Sequence, residues 1–136
     1  YPQLKSTIIN FVPDKSEDFG IEIHTVTYFQ SDFENEEKII VGGNAIDINI
    51  FLLKTGEKEA TLTGMHTDSV TCFEIDGYFL FSGSDDMTIV MWNLNNNTQI
   101  GILKGHTHSI QSMMMLHNGY LVSCSYDHKI HFWDYY

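Results

Sequence analysis

Two sets of residues in this chain are of the types that acyl-transfer enzymes use. His66, Ser84 and Asp86 form one set, and His106, Ser125 and Asp127 form the other. An aspartate that orients a histidine, which in turn draws the proton from a serine hydroxyl, is a nucleophilic triad. A second chemistry is suggested near the C-terminal end, where His106, His108, His117, Asp127, His128 and His131 crowd together. Zinc requires ligands that converge on one point. Here His108 and His117 fall in different connections, and His128 and His131 are split by a predicted strand. The triad meets another objection, since it is present twice at matched positions. A structural device recurs once per repeated unit, whereas an active site rarely does. We therefore expect no catalytic residues, no metal site and no cofactor.

The matched positions belong to a wider column. Residues 82–93 (SGSDDMTIVMWN) lie over residues 123–134 (SCSYDHKIHFWD) at an offset of 41, which pairs Asp86 with Asp127 and Trp92 with Trp133. The same offset reaches upstream to VGGNAIDINIFL (41–52), where Phe51 stands in place of the tryptophan. His66 and His106 recur 40 apart, each after a glycine-containing turn. A period near 40 marks a repeat architecture, in which each unit buries its apolar face against its neighbours. The 136 residues hold about three such units, and three blades do not close a ring. The chain thus reads as a piece of a larger protein.

The elements that must carry these residues are strands. From His66 onward, VTCFEI (70–75), YFLFSG (78–83), TIVMWN (88–93) and QIGILK (99–104) are rich in β-branched and aromatic residues and are bounded by turn formers. Asp76-Gly77 signals a tight hairpin with left-handed central residues. The next unit repeats the scheme with IQSMMML (110–116), YLVSCS (120–125) and KIHFWD (129–134), and lacks a fourth strand. Upstream, IEIHTVTYFQ (21–30), KIIVGG (38–43), IDINIFLL (46–53) and EATLT (59–63) are expected to form one more sheet, and LKSTIINFV (4–12) a strand before it. Runs such as FLF and IVMW do not alternate between polar and apolar, so these strands are expected to be covered on both faces. Met113 to Met115 are assigned to core packing.

Charge narrows the partners. Seven lysines and no arginine face 18 acidic residues, for a formal charge of −11. A nucleic-acid binder needs cations against phosphate, so the balance argues against nucleic acid as a partner of this segment. Much of the charge is local: Asp14, Glu17, Asp18, Asp32, Glu34, Glu36 and Glu37 fall in two connections, 13–20 and 31–37, and offer an acidic patch to a basic protein. Cys72 and Cys124 do not occupy matched repeat positions and fit free thiols of a reducing compartment. No run of residues reaches the 18 or more apolar positions of a membrane helix.

The G-H turn, a spacer of about 25 residues and the W-D or W-N end resemble the WD40 repeat. The resemblance is strong over residues 64–136 and weaker over 38–63. It implies an all-β propeller fragment of four-stranded antiparallel blades, the last without its outer strand. The expected units are an outer strand of a preceding blade plus linker (1–20), a divergent blade (21–63), a WD40 blade (64–104) and an incomplete blade (105–136). It also implies a structural hydrogen-bond network that joins a loop histidine, a hydroxyl on the second strand, a turn aspartate and the tryptophan. Carried over, the members are His66, Ser84, Asp86 and Trp92, then His106, Ser125, Asp127 and Trp133. The first unit has Gly43, Ala45 and Phe51 at those places, with Glu22 where the histidine should stand, so its network is expected to be absent.

As a family, such propellers are platforms for protein–protein contact. The resemblance therefore implies a non-catalytic scaffold in a multiprotein assembly, with a cytoplasmic setting and a cytoskeletal or ciliary home as the expectation. The alternative is an accessory propeller of a multidomain enzyme such as a kinase. Its partners would be other proteins and further blades of the same protein, with no insertion into a membrane.

Overall fold

The computed structural model describes residues 22–31 and 35–135. These form eleven strands and, among the described residues, no helix. Four of them, β1 (Ile23–Ser31), β2 (Glu36–Gly43), β3 (Ile48–Leu52) and β4 (Lys58–Leu62), make an antiparallel sheet in chain order. A second four-stranded sheet contains β5 (Val70–Asp76), β6 (Phe79–Ser84), β7 (Thr88–Asn93) and β8 (Thr98–Lys104). The third has three strands, β9 (Ile110–Met115), β10 (Leu121–Ser125) and β11 (Ile130–Trp133). They are referred to below as blades 1, 2 and 3. The all-β architecture and the missing outer strand of the last blade agree with the sequence reading. The expected strand over 4–12 lies outside the described residues.

Blades stack face to face. Between blades 1 and 2 lies a core that includes Phe29, Ile40, Ile48, Ile50 and Leu62 from one side and Val70, Leu80, Val90 and Trp92 from the other. Between blades 2 and 3 the core includes Phe81, Ile89, Met91, Ile110, Met113 and Leu121. In β7 the run Ile89–Trp92 is buried throughout, as a strand covered on both faces must be. The methionine run divides instead: Met113 is buried, while Met114 is 55% exposed on the opposite face. Successive side chains of a strand point to opposite faces, so the core assignment fails for Met114.

Close approach of the blades needs two glycines at the same repeat position. A Cβ on Gly42 would stand 2.8 Å from Val70 Cγ1, and one on Gly83 2.7 Å from Ile110 Cγ2. Each glycine admits the first strand of the following blade. The hairpin predicted at Asp76-Gly77 forms one residue later. Asp76 pairs with Phe79, leaving Gly77 and Tyr78 as the loop, and only Gly77 has positive φ (56°). This is the sign pattern of a type II′ turn, not of the type I′ turn that Asp-Gly suggests.

The first hairpin of each blade differs in length. Ile23 pairs with Gly43, Val70 with Ser84 and Ile110 with Ser125, which are separations of 20, 14 and 15 residues. Blade 3 thus has one extra residue in this hairpin, as its sequence implied. Blade 1 has six more than blade 2. Its pairing continues through Gln30–Glu37 to Ser31–Glu36, so the hairpin extends beyond the end of its neighbour's. Glu36 and Glu37 therefore belong to β2 and not to a loop, which corrects the reading of 31–37 as a connection.

Candidate functional site

The connections that alternate with these hairpins all lie at the opposite end of the sheets, because consecutive strands are antiparallel. That end carries the histidines and aspartates. His66, in the loop entering blade 2, is buried with 3% exposure. Its Nδ1 lies 2.8 Å from Asp86 Oδ2 and its Nε2 2.8 Å from Ser82 Oγ. The Trp92 indole Nε1–H donates to the same Ser82 Oγ at 2.8 Å. Blade 3 repeats this within a tenth of an ångström: His106 to Asp127 is 2.7 Å, His106 to Ser123 2.8 Å and Trp133 to Ser123 2.8 Å.

The hydroxyl of each network is therefore Ser82 or Ser123, and the expectation of Ser84 and Ser125 is corrected. Two residues along a strand restore the same face, so sequence spacing alone left either serine eligible. Register decides between them. Ser82 stands opposite Val90 on β7, close to the indole that must reach it, whereas Ser84 is at the strand end. Ser84 instead accepts the Asp86 backbone N–H at 3.0 Å and donates to the Asp68 carbonyl at 3.1 Å. Ser125 does the same with Asp127 N–H at 3.1 Å and the His108 carbonyl at 2.9 Å. These serines set the turn that presents the aspartate.

Proton directions follow from the chemistry. An ionised carboxylate accepts only, so Nδ1–H of His66 donates to Asp86 and Nε2 accepts from Ser82, whose oxygen receives the indole N–H. Each donor meets an acceptor. Among the described residues no buried side-chain nitrogen or oxygen lacks a partner. Asp86 also accepts from the Thr67 and Thr88 backbone N–H groups and from the Thr88 hydroxyl at 2.6 Å. Burial opposes its ionisation, but the hydrogen bonds from His66, Thr88 and Thr67 outweigh burial and hold the carboxyl well below the usual carboxylate range. Asp127 is likewise held low, burial again being offset by His106 and by the Thr107 and Lys129 N–H groups.

The aspartate–histidine–serine order is that of a hydrolase triad, yet the geometry closes it to substrate. Ser82 and Ser123 are 0% and 1% exposed, and each oxygen already accepts an indole N–H. A nucleophile must reach an acyl carbon, and these hydroxyls face the space between blades. What the network can do is pin the loop that enters a blade onto the second and third strands.

Of the clustered imidazoles, the structure brings together His106 and His131 beside Asp127. Both nitrogens of His106 are engaged, and its ring lies on that of His131 with centroids 4.0 Å apart and planes 19° apart. Lone pairs of stacked rings run side by side and do not converge on one ion. His117 lies in the turn between β9 and β10, at the other end of the blade.

Blade 1 carries Val41, Ala45 and Phe51 at the places of Ser82, Asp86 and Trp92, so no such network forms there. Counting from the strand pairing corrects one further assignment. Asn44 N–H donates to the Glu22 carbonyl as Asp85 N–H does to Ser69, so Glu22 matches Ser69 and not the histidine. In return, Glu22 N–H donates to Asn44 Oδ1 at 3.0 Å. This reciprocal pair clamps the same loop without a titratable group. Of the acidic candidates, Glu36 and Glu37 are exposed on the projecting hairpin, and Glu37 accepts from the Tyr28 hydroxyl at 2.9 Å. Asp14, Glu17, Asp18, Asp32 and Glu34 lie outside the described residues.

Sequence reasoning missed the polar contacts that join blades 2 and 3. Thr71 Oγ1 donates to the Ile110 carbonyl at 2.6 Å, Ser109 bonds Asp85, and Tyr135 donates to Asp76 Oδ2 at 2.6 Å. Met115 N–H donates to Glu74 Oε1 at 3.2 Å, and burial there raises the Glu74 carboxyl above its usual range. No local pattern announces such pairs, since they link residues 24 to 59 positions apart.

Antiparallel blades of four, four and three strands stacked side by side, the second and third with their inner strands buckled to the incoming loop by a buried histidine, define a β-propeller protein. The chain belongs to the family described as WD domain, G-beta repeat, whose model matches residues 56–93 and 97–134, more than half of its length. Over 92 residues it is 30% identical to Cell division control protein 4 of Saccharomyces cerevisiae, covering 63% of this chain and 12% of that protein. Over 104 residues it is 31% identical to the WD repeat-containing protein pop1 of Schizosaccharomyces pombe, covering 76% of this chain and 13% of that one. The chain thus spans about an eighth of these curated relatives. Among solved structures, the WD40 propeller domain of Doa1 superposes with a TM-score of 0.71 at 22% identity, covering 83% of this chain and 37% of that chain. A Polycomb Repressive Complex 2 from Chaetomium thermophilum gives a TM-score of 0.77 at 23% identity, covering 86% and 27%. WD40 propellers are in general scaffolds for protein interaction.

Proposed function

We propose that this chain is a docking module without catalytic duty, and that the projecting hairpin of blade 1 takes a basic segment of a protein partner. The observation that carries this reading is the β1–β2 extension. Relative to β5–β6 it runs two residues further along the second strand, from the matched core positions Ile40 and Phe81 to Glu36 and Phe79. That is a reach of about 7 Å at roughly 3.3 Å per residue. Its end displays Glu36 and Glu37, beside a cleft of about 290 Å³ lined by Asn35, Leu52, Lys54 and Thr55 as well as these two.

The outer face of blade 3 supports further blades as the second kind of partner. Ile130 and Phe132 are 64% and 66% exposed, while the matched Ile89 and Met91 of blade 2 are buried by blade 3. A reducing, cytoplasmic setting belongs to the same proposal and is supported by the free Cys72 and Cys124. Burial pushes the Cys72 thiol up to about 11, so it stays protonated and inert. A cytoskeletal or ciliary home and an attached kinase have no support in the geometry.

The test uses a fluorescent lysine- and arginine-rich peptide titrated into the full-length protein. Binding should weaken several-fold in an E36K/E37K variant and on raising the salt, because exposed charges are screened. D68K, at the opposite end of the blades, should leave it unchanged. Equal binding by E36K/E37K and the native protein would overturn the assignment of the hairpin.

A further inference from the structure

Besides Thr88, whose place Lys129 takes in blade 3, one strand residue distinguishes the two matched networks. Where blade 2 has Val90, with 0% exposure, blade 3 has His131. Its ring stacks on His106 and stands 5.2 Å from the Trp133 ring, tilted by 51°. The loop leaves no slack over this stack: a Cβ on Gly105 would lie 3.2 Å from His131 Nδ1 and 3.1 Å from Trp133 Cη2. The imidazole is thus clasped among His106, Trp133 and the loop backbone, in direct contact with the ring that holds the network together.

We propose that His131 is a proton-sensitive wedge, which on mild acidification loosens the blade 3 network and the β11 strand while blade 2 stays closed. The titratable and charged groups facing His131 come from two connections. His106 comes from the loop entering blade 3, and Asp127 and Lys129 come from the turn between β10 and β11. From β10 it faces Ser123, its register partner, and no charged group. Asp127 attracts a proton on His131, but its oxygens already accept from His106, Thr107 and Lys129. Desolvation, His106 and Lys129 all oppose that proton, and together they hold His131 below its ordinary value.

The sign follows from linkage. A histidine with a depressed folded value takes up a proton more readily in the open state. Closure is therefore undiminished above the ordinary histidine value near 6.5, and weakens as pH falls from there toward the folded value. At pH 5.5 one such group raises the open population by at most about tenfold.

The experiment is hydrogen exchange of the full-length protein at pH 7.5 and 5.5, corrected for intrinsic rates. It compares peptides covering 121–133 with those covering 79–93. Opening of the 121–133 segment should rise several-fold more than that of 79–93. H131V, which installs the residue of blade 2, should remove the difference, and H131Q provides the same test if valine disturbs the edge strand. V90H should transfer the response to blade 2. An equal response of the two segments in the native protein, or an unequal one that persists in both H131V and H131Q, would overturn the proposal.

Discussion

Blades 1 and 2 solve one mechanical problem with different chemistry. Each must fasten an incoming loop across the end of its second and third strands. Blade 2 uses four side chains, with an aspartate, a histidine, a serine and a tryptophan in sequence, all buried and all satisfied. Blade 1 uses the reciprocal Glu22–Asn44 bonds and fills the indole's place with Phe51, which is 5% exposed. It adds Lys38, whose ammonium reaches Glu59 at 2.7 Å, and a Thr61–Asn49 bond at 3.1 Å. A buried relay resists partial failure, since losing one member strands the others without water to replace it. Backbone bonds near solvent are cheaper to break and cheaper to vary. The blade relieved of the relay is also the one whose first hairpin has lengthened and gathered acidic residues.

The widest separation between these designs should come from removing an anchor. Trp92→Ala deletes a buried ring and leaves Ser82 without its indole donor, and we expect a loss of about 3–5 kcal/mol in urea unfolding. Trp92→Phe keeps most of the packing and removes only the N–H, so about 1–3 kcal/mol is expected. Blade 1 already carries phenylalanine at that place. A Trp92→Phe protein as stable as the native one would mean that the relay adds nothing beyond packing, and the contrast between the blades would collapse.

Acid provides the next separation. Asp86 and Asp127 are depressed in the folded protein, so their contribution is present above the ordinary carboxylate value near 3.9 and is lost as pH falls below it. Stability should therefore fall steeply between about pH 4 and pH 2. Asp86→Asn should flatten that limb by one proton's worth of slope, measured as unfolding free energy against pH. This window lies below the one in which His131 acts, so the two effects separate along a single titration.

The extent to which this molecule could be read from its residues followed physical range. Strand identity and the division into three sheets were legible because the apolar runs and turn formers act locally and repeat. The histidine, aspartate and tryptophan of each relay were legible because their spacing repeats. The serine was misassigned because Ser82 and Ser84 share a face, and only the register with Val90 shows which one meets the indole. Glu22 was misplaced for a related reason. The first hairpin of blade 1 is six residues longer than its counterpart, so spacing does not carry across it, and strand pairing matches Glu22 to Ser69. Seam contacts such as Tyr135–Asp76 depend on how blades stack and leave no local trace.

The smallest effect bears on that misassigned serine. Ser82→Ala takes the shared acceptor from Trp92 Nε1–H and the donor from His66 Nε2, both fully buried, and should cost about 1–3 kcal/mol. Ser84 bonds only backbone groups, the Asp86 N–H and the Asp68 carbonyl, at the edge of the turn. Its replacement by alanine should cost about 0.5–1.5 kcal/mol, the net worth of ordinary hydrogen bonds. The same ordering should hold for Ser123 over Ser125. If Ser84→Ala proved the more damaging, the turn and not the relay would be what fastens the loop. Blade 1, whose Asn44 already builds that turn from backbone bonds, would then be the simpler form of one common device.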